Sequence, residues 1–377
     1  MGKTGIAVLQ IVLIVLSIIC GWLGYSYINQ FSNQASGGGL LIVWVIVVTI
    51  VAAVVGFILN VILHEAGHLI FGLLTGYGLV FFSALGLTTM KENGKLVVKK
   101  YSIAGTAGGC MLSPPDMKNG TYPYKLCISG GFLVDFILCA VFLILFYNSA
   151  ETAGLWARAF LVIGIVSALL GLLNFIPHNV VAPDDGYIFF NLGKEENATM
   201  HKGYWTCFKI QALLAEGSRP REIPTELFDW VDTDNINDPL TYETAYYHYK
   251  YLLDQQKFSD AKTLLQTLWD DTNNIPEVQK LACQCELLFH ELIGDRRQEE
   301  IDRLYSEGLK KYIKAAEAEL NVQRLMYTYA RLYLKNADEA AKQMELFNKA
   351  CNIPIQAGLA RSENELISII DEIADKR

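Results

Sequence analysis

Four apolar stretches, at about 5–29, 40–76, 129–147 and 156–177, each reach the roughly 20 residues that a helix needs to cross a bilayer. Lipid offers no partners for backbone amides, so such a chain must satisfy them internally, and helices are the simplest solution. The first half is therefore predicted to be an all-α, polytopic membrane protein with about four transmembrane helices. Charge supports the division. Residues 1–194 carry only 16 charged side chains, with a net charge of +2, whereas residues 195–377 carry 54, with a net charge of −10. The second half is expected to be water-soluble. Its acidity disfavours nucleic acid as a partner, because it would repel phosphates.

Orientation follows from the connections. The loop at 77–128 holds six lysines (91, 95, 99, 100, 118 and 125), while those at 30–39 and 148–155 hold none. The positive-inside rule puts the lysine-rich loop, both termini and the acidic half in the cytoplasm. The expected location is thus a multi-pass position in a membrane, of the bacterial cytoplasmic type. The first segment follows Lys3 and precedes "NQASGGG", so a retained anchor and a cleaved signal peptide both fit, although no clean A-x-A site is present. The predicted divisions are 1–39 for the first helix and its linker, 40–194 for the membrane core, and 195–377 for the cytosolic domain.

Within the second segment lies "VILHEAGHLIFG", residues 61–72. His64 and His68 are four residues apart, so on a helix both imidazoles leave from one face and can bind a single Zn²⁺. Glu65 beside them can take a proton from a water that the metal polarises. The competing interpretation is a pair of core histidines with Glu65 at a bundle interface. The lipid setting weighs against that, since an ionisable group at membrane depth costs on the order of 3 kcal/mol and is usually functional. At 37 residues, the segment is also too long for one straight crossing, so a tilt, a kink near Gly56 or a protruding end must absorb the excess.

Catalytic zinc needs a third protein ligand. Candidates cluster after the fourth segment in "NFIPHNVVAPDDG", which holds Asn174, Pro177, His178, Asp184, Asp185 and Gly186. Pro177 and Pro183 break the helix there, and irregular backbone at membrane depth is tolerated where it lines a polar cavity. Asp185 is the chosen ligand because it directly precedes glycine; Asp184 stays open, as does the alternative that both aspartates only cap a following helix.

"HEAGH" in an apolar helix, followed two segments later by N-x-x-P and an Asp-Gly pair, resembles the site-2 protease family of intramembrane zinc metalloproteases. "SGGFLVDFIL" at 129–138 is similar to that family's next core helix, with Gly131 and Asp135 at matching positions. Phe132 stands where proline is usual, Asp135 where asparagine is, and the Asn-to-Asp-Gly spacing is longer than the common form. The resemblance spans about residues 40–190. It implies Zn²⁺ held by His64, His68 and an aspartate, with Glu65 activating water and Asn174 positioning the substrate. Asp135 is read as a polar contact within the bundle rather than as a catalytic group.

"LGLTTMKENGKLVVKKYSIAG" reads as a β-hairpin turning at Asn93-Gly94, with an ordinary cytosolic loop as the alternative. In the family such a hairpin dips into the membrane and can offer an edge strand to an extended substrate.

The acidic half reads as amphipathic helices. "AYYHYKYLLDQQKFSDAKTLLQTLW" forms two, joined at Gln255–Lys257, and similar turns recur near 293–300 and 334–341. This resembles a tetratricopeptide-like hairpin array suited to a protein partner. Tyr242, Tyr246 and Tyr249 are expected in its core. His201, His248 and His290 are isolated and read as core or surface residues, and the Cys283-x-Cys285 pair as neither disulfide nor metal site.

The leading expectation is a zinc-dependent intramembrane endopeptidase that cuts a transmembrane or signal-peptide-like segment near its cytoplasmic end. The alternative is a non-catalytic membrane adaptor whose helical domain binds a partner, with a structural or vestigial zinc site.

Overall fold

The computed structural model describes residues 38–92, 95–100, 108–149, 154–178, 183–233, 236, 238–270, 275–353 and 357–376. The first apolar segment and the Asn93-Gly94 turn lie outside these. The chain forms two compact units that meet in sequence at Lys194 and Glu195.

In the first unit, three helices are long and apolar enough to cross a membrane: α1 (Gly38–Leu74), α2 (Tyr124–Ser149) and α3 (Leu155–Phe175). Their outer faces are apolar and exposed, as at Ile50, Val54, Ile137 and Ile144, which is how a helix faces lipid. Between them, polar side chains are paired rather than absent. Asn60 on α1 donates to Ser167 on α3 at 2.8 Å, and Arg158 donates to Thr49 at 2.9 Å. Buried polar groups need such partners, because an unpaired one costs about 1–3 kcal/mol. Close approach of α1 and α2 depends on two facing glycines. A Cβ on Gly67 would meet the carbonyl oxygen of Gly130 at 2.2 Å, and one on Gly130 would meet that of Gly67 at 2.4 Å.

The connection from α1 to α2 is more structured than a hairpin. Four strands, β1 (Gly78–Ala84), β2 (Leu87–Glu92), β3 (Lys95–Lys100) and β4 (Gly108–Ser113), form one sheet in the order β3-β2-β1-β4. The expected hairpin corresponds to β2 and β3. The all-α expectation for this half is corrected by the full sheet. β1 was hidden because "GLVFFSA" continues the preceding apolar run without alternation. β4 ("GGCMLS") was hidden because glycine is a poor strand former by itself; it pairs antiparallel with β1, from Gly108 opposite Ala84 to Ser113 opposite Gly78. After α3 the chain breaks at Ile176, where the backbone turns extended before Pro177, and restarts as the short helix α4 (Asp185–Asn191).

From Glu195 onward the regular elements among the described residues are all helical: α5 (Ala198–Ala215), α6 (Pro239–Asp254), α7 (Phe258–Asp270), α8 (Glu277–Ile293), α9 (Gln298–Leu304), α10 (Glu307–Ala315), α11 (Leu320–Thr328), α12 (Ala337–Cys351) and α13 (Ala357–Asp375), with short 3₁₀ turns before and after α5 and a π-helical turn after α11. The α6–α7 break falls at Gln255–Lys257, where Gln256 adopts a positive φ of 60°. Tyr242, Tyr246 and Tyr249 lie in the core, and Cys283 and Cys285 are buried free thiols. At its centre Arg324, fully buried, joins Glu286 on α8 (2.6 Å) to Glu363 on α13 (2.5 Å) and lies over the Phe289 ring.

Candidate metal centre

His64 and His68 occupy one face of α1, one helical turn apart, and their Nε2 atoms approach to 3.2 Å. Asp185, the first residue of α4, brings its Oδ2 to 3.3 Å from His64 Nε2 and 3.1 Å from His68 Nε2. Four segments distant in sequence make this possible. α1 supplies the imidazoles, α2 backs them, the end of α3 bends away, and α4 returns the carboxylate. Gly131 on α2 leaves the room: a Cβ there would sit 2.4–2.6 Å from the imidazole atoms of His64 and His68.

Both rings are held from behind by α2. His64 Nδ1 lies 2.8 Å from Asp135 Oδ2, and His68 Nδ1 lies 2.9 Å from the Cys127 carbonyl oxygen. A carbonyl and a carboxylate only accept, so each Nδ1 donates, and in the neutral imidazole each Nε2 then presents a lone pair. Two neutral imidazole lone pairs and a carboxylate oxygen converging within 3.3 Å repel one another unless a metal ion or a proton lies among them. The spacing suits a metal ion. Zinc arms of about 2.0–2.1 Å in a tetrahedron put ligand atoms roughly 3.3–3.4 Å apart, against 3.1–3.3 Å here. The residues present thus fit a divalent cation of the zinc type, with His64, His68 and Asp185 as its holders. Side-chain exposures of 14%, 14% and 18% leave part of each of these side chains uncovered.

Glu65 projects from α1 beside the pair and is half-buried. It faces β4: its carboxylate lies near the backbone of Cys110, and its Cγ lies 3.5 Å from where a Cβ on Gly108 would be. β4 stands at the edge of the sheet, paired on one side by β1. An edge strand therefore borders the glutamate, and it is not the hairpin strand that the sequence suggested.

The two aspartates separate cleanly. Asp184 caps α4, accepting from Tyr187 N at 2.7 Å and His178 N at 3.0 Å, and its other oxygen lies 2.5 Å from His178 Nδ1. Asn174 is not brought to the cluster by any hydrogen bond: its amide donates to Leu170 O within α3. Its backbone carbonyl, with that of Phe175, instead packs against Gly186, where a Cβ would meet the Phe175 oxygen at 2.2 Å. Two participants escaped sequence reasoning, β4 and the contact of Asp135 with His64. For Asp135 the signal was present, an acid in an apolar helix, but its partner is 71 residues away.

No protein-family model, no curated protein and no solved structure matches this chain.

Proposed function

We propose that the protein is a metal-dependent intramembrane endopeptidase, with zinc as its cofactor. The observation that carries this reading is the convergence of His64, His68 and Asp185, with Glu65 alongside, on an apolar helix of membrane-spanning length. A purely structural metal site has no use for an ionisable group next to its ligands. A divalent cation held there supplies Lewis acidity toward a water and a peptide carbonyl. Glu65 accepts the proton of the attacking water and returns it to the departing amide nitrogen.

The edge of β4 next to Glu65 suits a substrate in extended form. A transmembrane helix buries its carbonyls in its own hydrogen bonds, so it must unwind before attack, and pairing to an edge strand replaces the bonds it loses. The motif resemblance to site-2 proteases supports the same chemistry. The positive-inside rule puts the site toward the cytoplasmic face and the helical unit in the cytosol, where it would select substrates or bind a partner.

The test is the purified full chain, analysed for zinc and incubated in detergent or vesicles with transmembrane and signal-peptide-like segments. Cleavage that a zinc chelator stops and added Zn²⁺ restores supports the proposal. A zinc-replete protein that cuts none of a broad panel overturns it.

A further inference from the structure

Asp135 is the most deeply buried ionisable group next to the metal centre, with 0% exposure in the middle of the α1–α2–α3 packing. Among the described residues its only ion-pair partner is His64, through Oδ2; its Oδ1 is buried with no hydrogen bond. A carboxylate in such surroundings is expensive, because a charge out of water loses several kcal/mol of solvation unless another charge compensates it. Among the described residues no lysine or arginine does so. α3 makes room for it: a Cβ on Gly171 would lie 3.1 Å from that of Asp135.

The two histidines are held differently. His68 donates to a neutral carbonyl, that of Cys127, while His64 donates to a full carboxylate, that of Asp135. A carboxylate behind a ligating imidazole locks its tautomer and strengthens it as a donor to metal. It also adds a negative charge behind His64, beyond those of Asp185 and Glu65, and so strengthens the hold of that imidazole on a divalent cation.

We infer that Asp135 is a positioning residue of the metal centre, one that fixes His64 with Nε2 free for the cation and, through its charge, strengthens that imidazole as a donor to it. This rests on the metal-centre reading above and adds a residue to it. Asp135 touches neither substrate nor cation, and acts through His64.

The experiment measures Zn²⁺ affinity of the detergent-purified full chain by chelator competition, in the wild type, Asp135→Asn and Asp135→Ala. Asparagine keeps an acceptor for Nδ1 and removes the charge; alanine removes both. Asp135→Asn should bind Zn²⁺ about 10- to 100-fold more weakly, Asp135→Ala more weakly still, and Co²⁺ in Asp135→Asn should keep a tetrahedral visible spectrum. A second measurement needs no variant: the imidazole ¹⁵N shifts of His64 in the Zn²⁺-loaded wild type should show Nδ1 protonated and Nε2 bound to metal. Equal affinities in the three proteins, or a His64 bound through Nδ1, overturn the role of Asp135 and leave the metal centre standing. A wild type that binds no Zn²⁺ sinks the metal centre itself.

Discussion

Asp184 and Asp185 are adjacent in sequence and do different work: Asp184 accepts the backbone N–H of Tyr187 to start α4, while Asp185 reaches 3.1 Å from His68 Nε2. Their separation has a measurable consequence. Asp185→Ala should lose stoichiometric zinc. Asp184→Ala should keep it and lose about 1 kcal/mol of stability, the usual worth of an N-cap. Metal analysis of both purified variants checks this, and zinc retained by Asp185→Ala would reassign the third ligand.

Glu65→Gln is close to isosteric and leaves the three ligand side chains untouched. Zinc content should match the wild type, while turnover of a transmembrane substrate should fall by at least 10²-fold, the range ascribed to a general base. Unchanged turnover would remove Glu65 from the chemistry.

Gly131→Ala puts a methyl 2.4–2.6 Å from the imidazole atoms of both histidines. Because α1 and α2 are locked together at Gly67 and Gly130, the helices cannot simply move apart. The rings must turn instead. Zinc affinity is expected to fall more than tenfold at a stability cost of about 1–3 kcal/mol, read by chelator competition and thermal unfolding. Wild-type affinity would show that the rings have slack.

In the helical unit, burial pushes the His290 imidazole down from 6.5 to about 4, and its Nε2 lies 3.3 Å from the Tyr249 hydroxyl, which donates to Glu286. A depressed histidine means that the unfolded chain binds more protons between these values. Stability is therefore full above pH 6.5 and falls as pH drops toward 4, by about 3 kcal/mol from this group. His290→Gln, which can still donate to Tyr249 but does not titrate, should flatten that part of the profile. Denaturant unfolding at pH 7, 5.5 and 4.5 tests it; parallel profiles for wild type and variant would refute the assignment.

Sequence alone determined what is local or periodic. Apolar runs set α1, α2 and α3, because a bilayer-length helix is specified by composition over some 20 residues. The four-residue step from His64 to His68 placed both rings on one face of α1 because helical geometry guarantees it. Charge asymmetry marked where a water-soluble half is expected to begin, and the break at Gln255–Lys257 was legible in the residues around it. Only the tertiary structure decided what depends on distant segments meeting. That Asp185 and not Asp184 lies beside the two histidines turns on which way the first turn of α4 faces. The partnership of Asp135 with His64 exists because two glycines let α1 and α2 touch. The strand beside Glu65 is β4, a glycine-rich stretch that is extended because β1 offers it hydrogen bonds, a reason absent from its own residues.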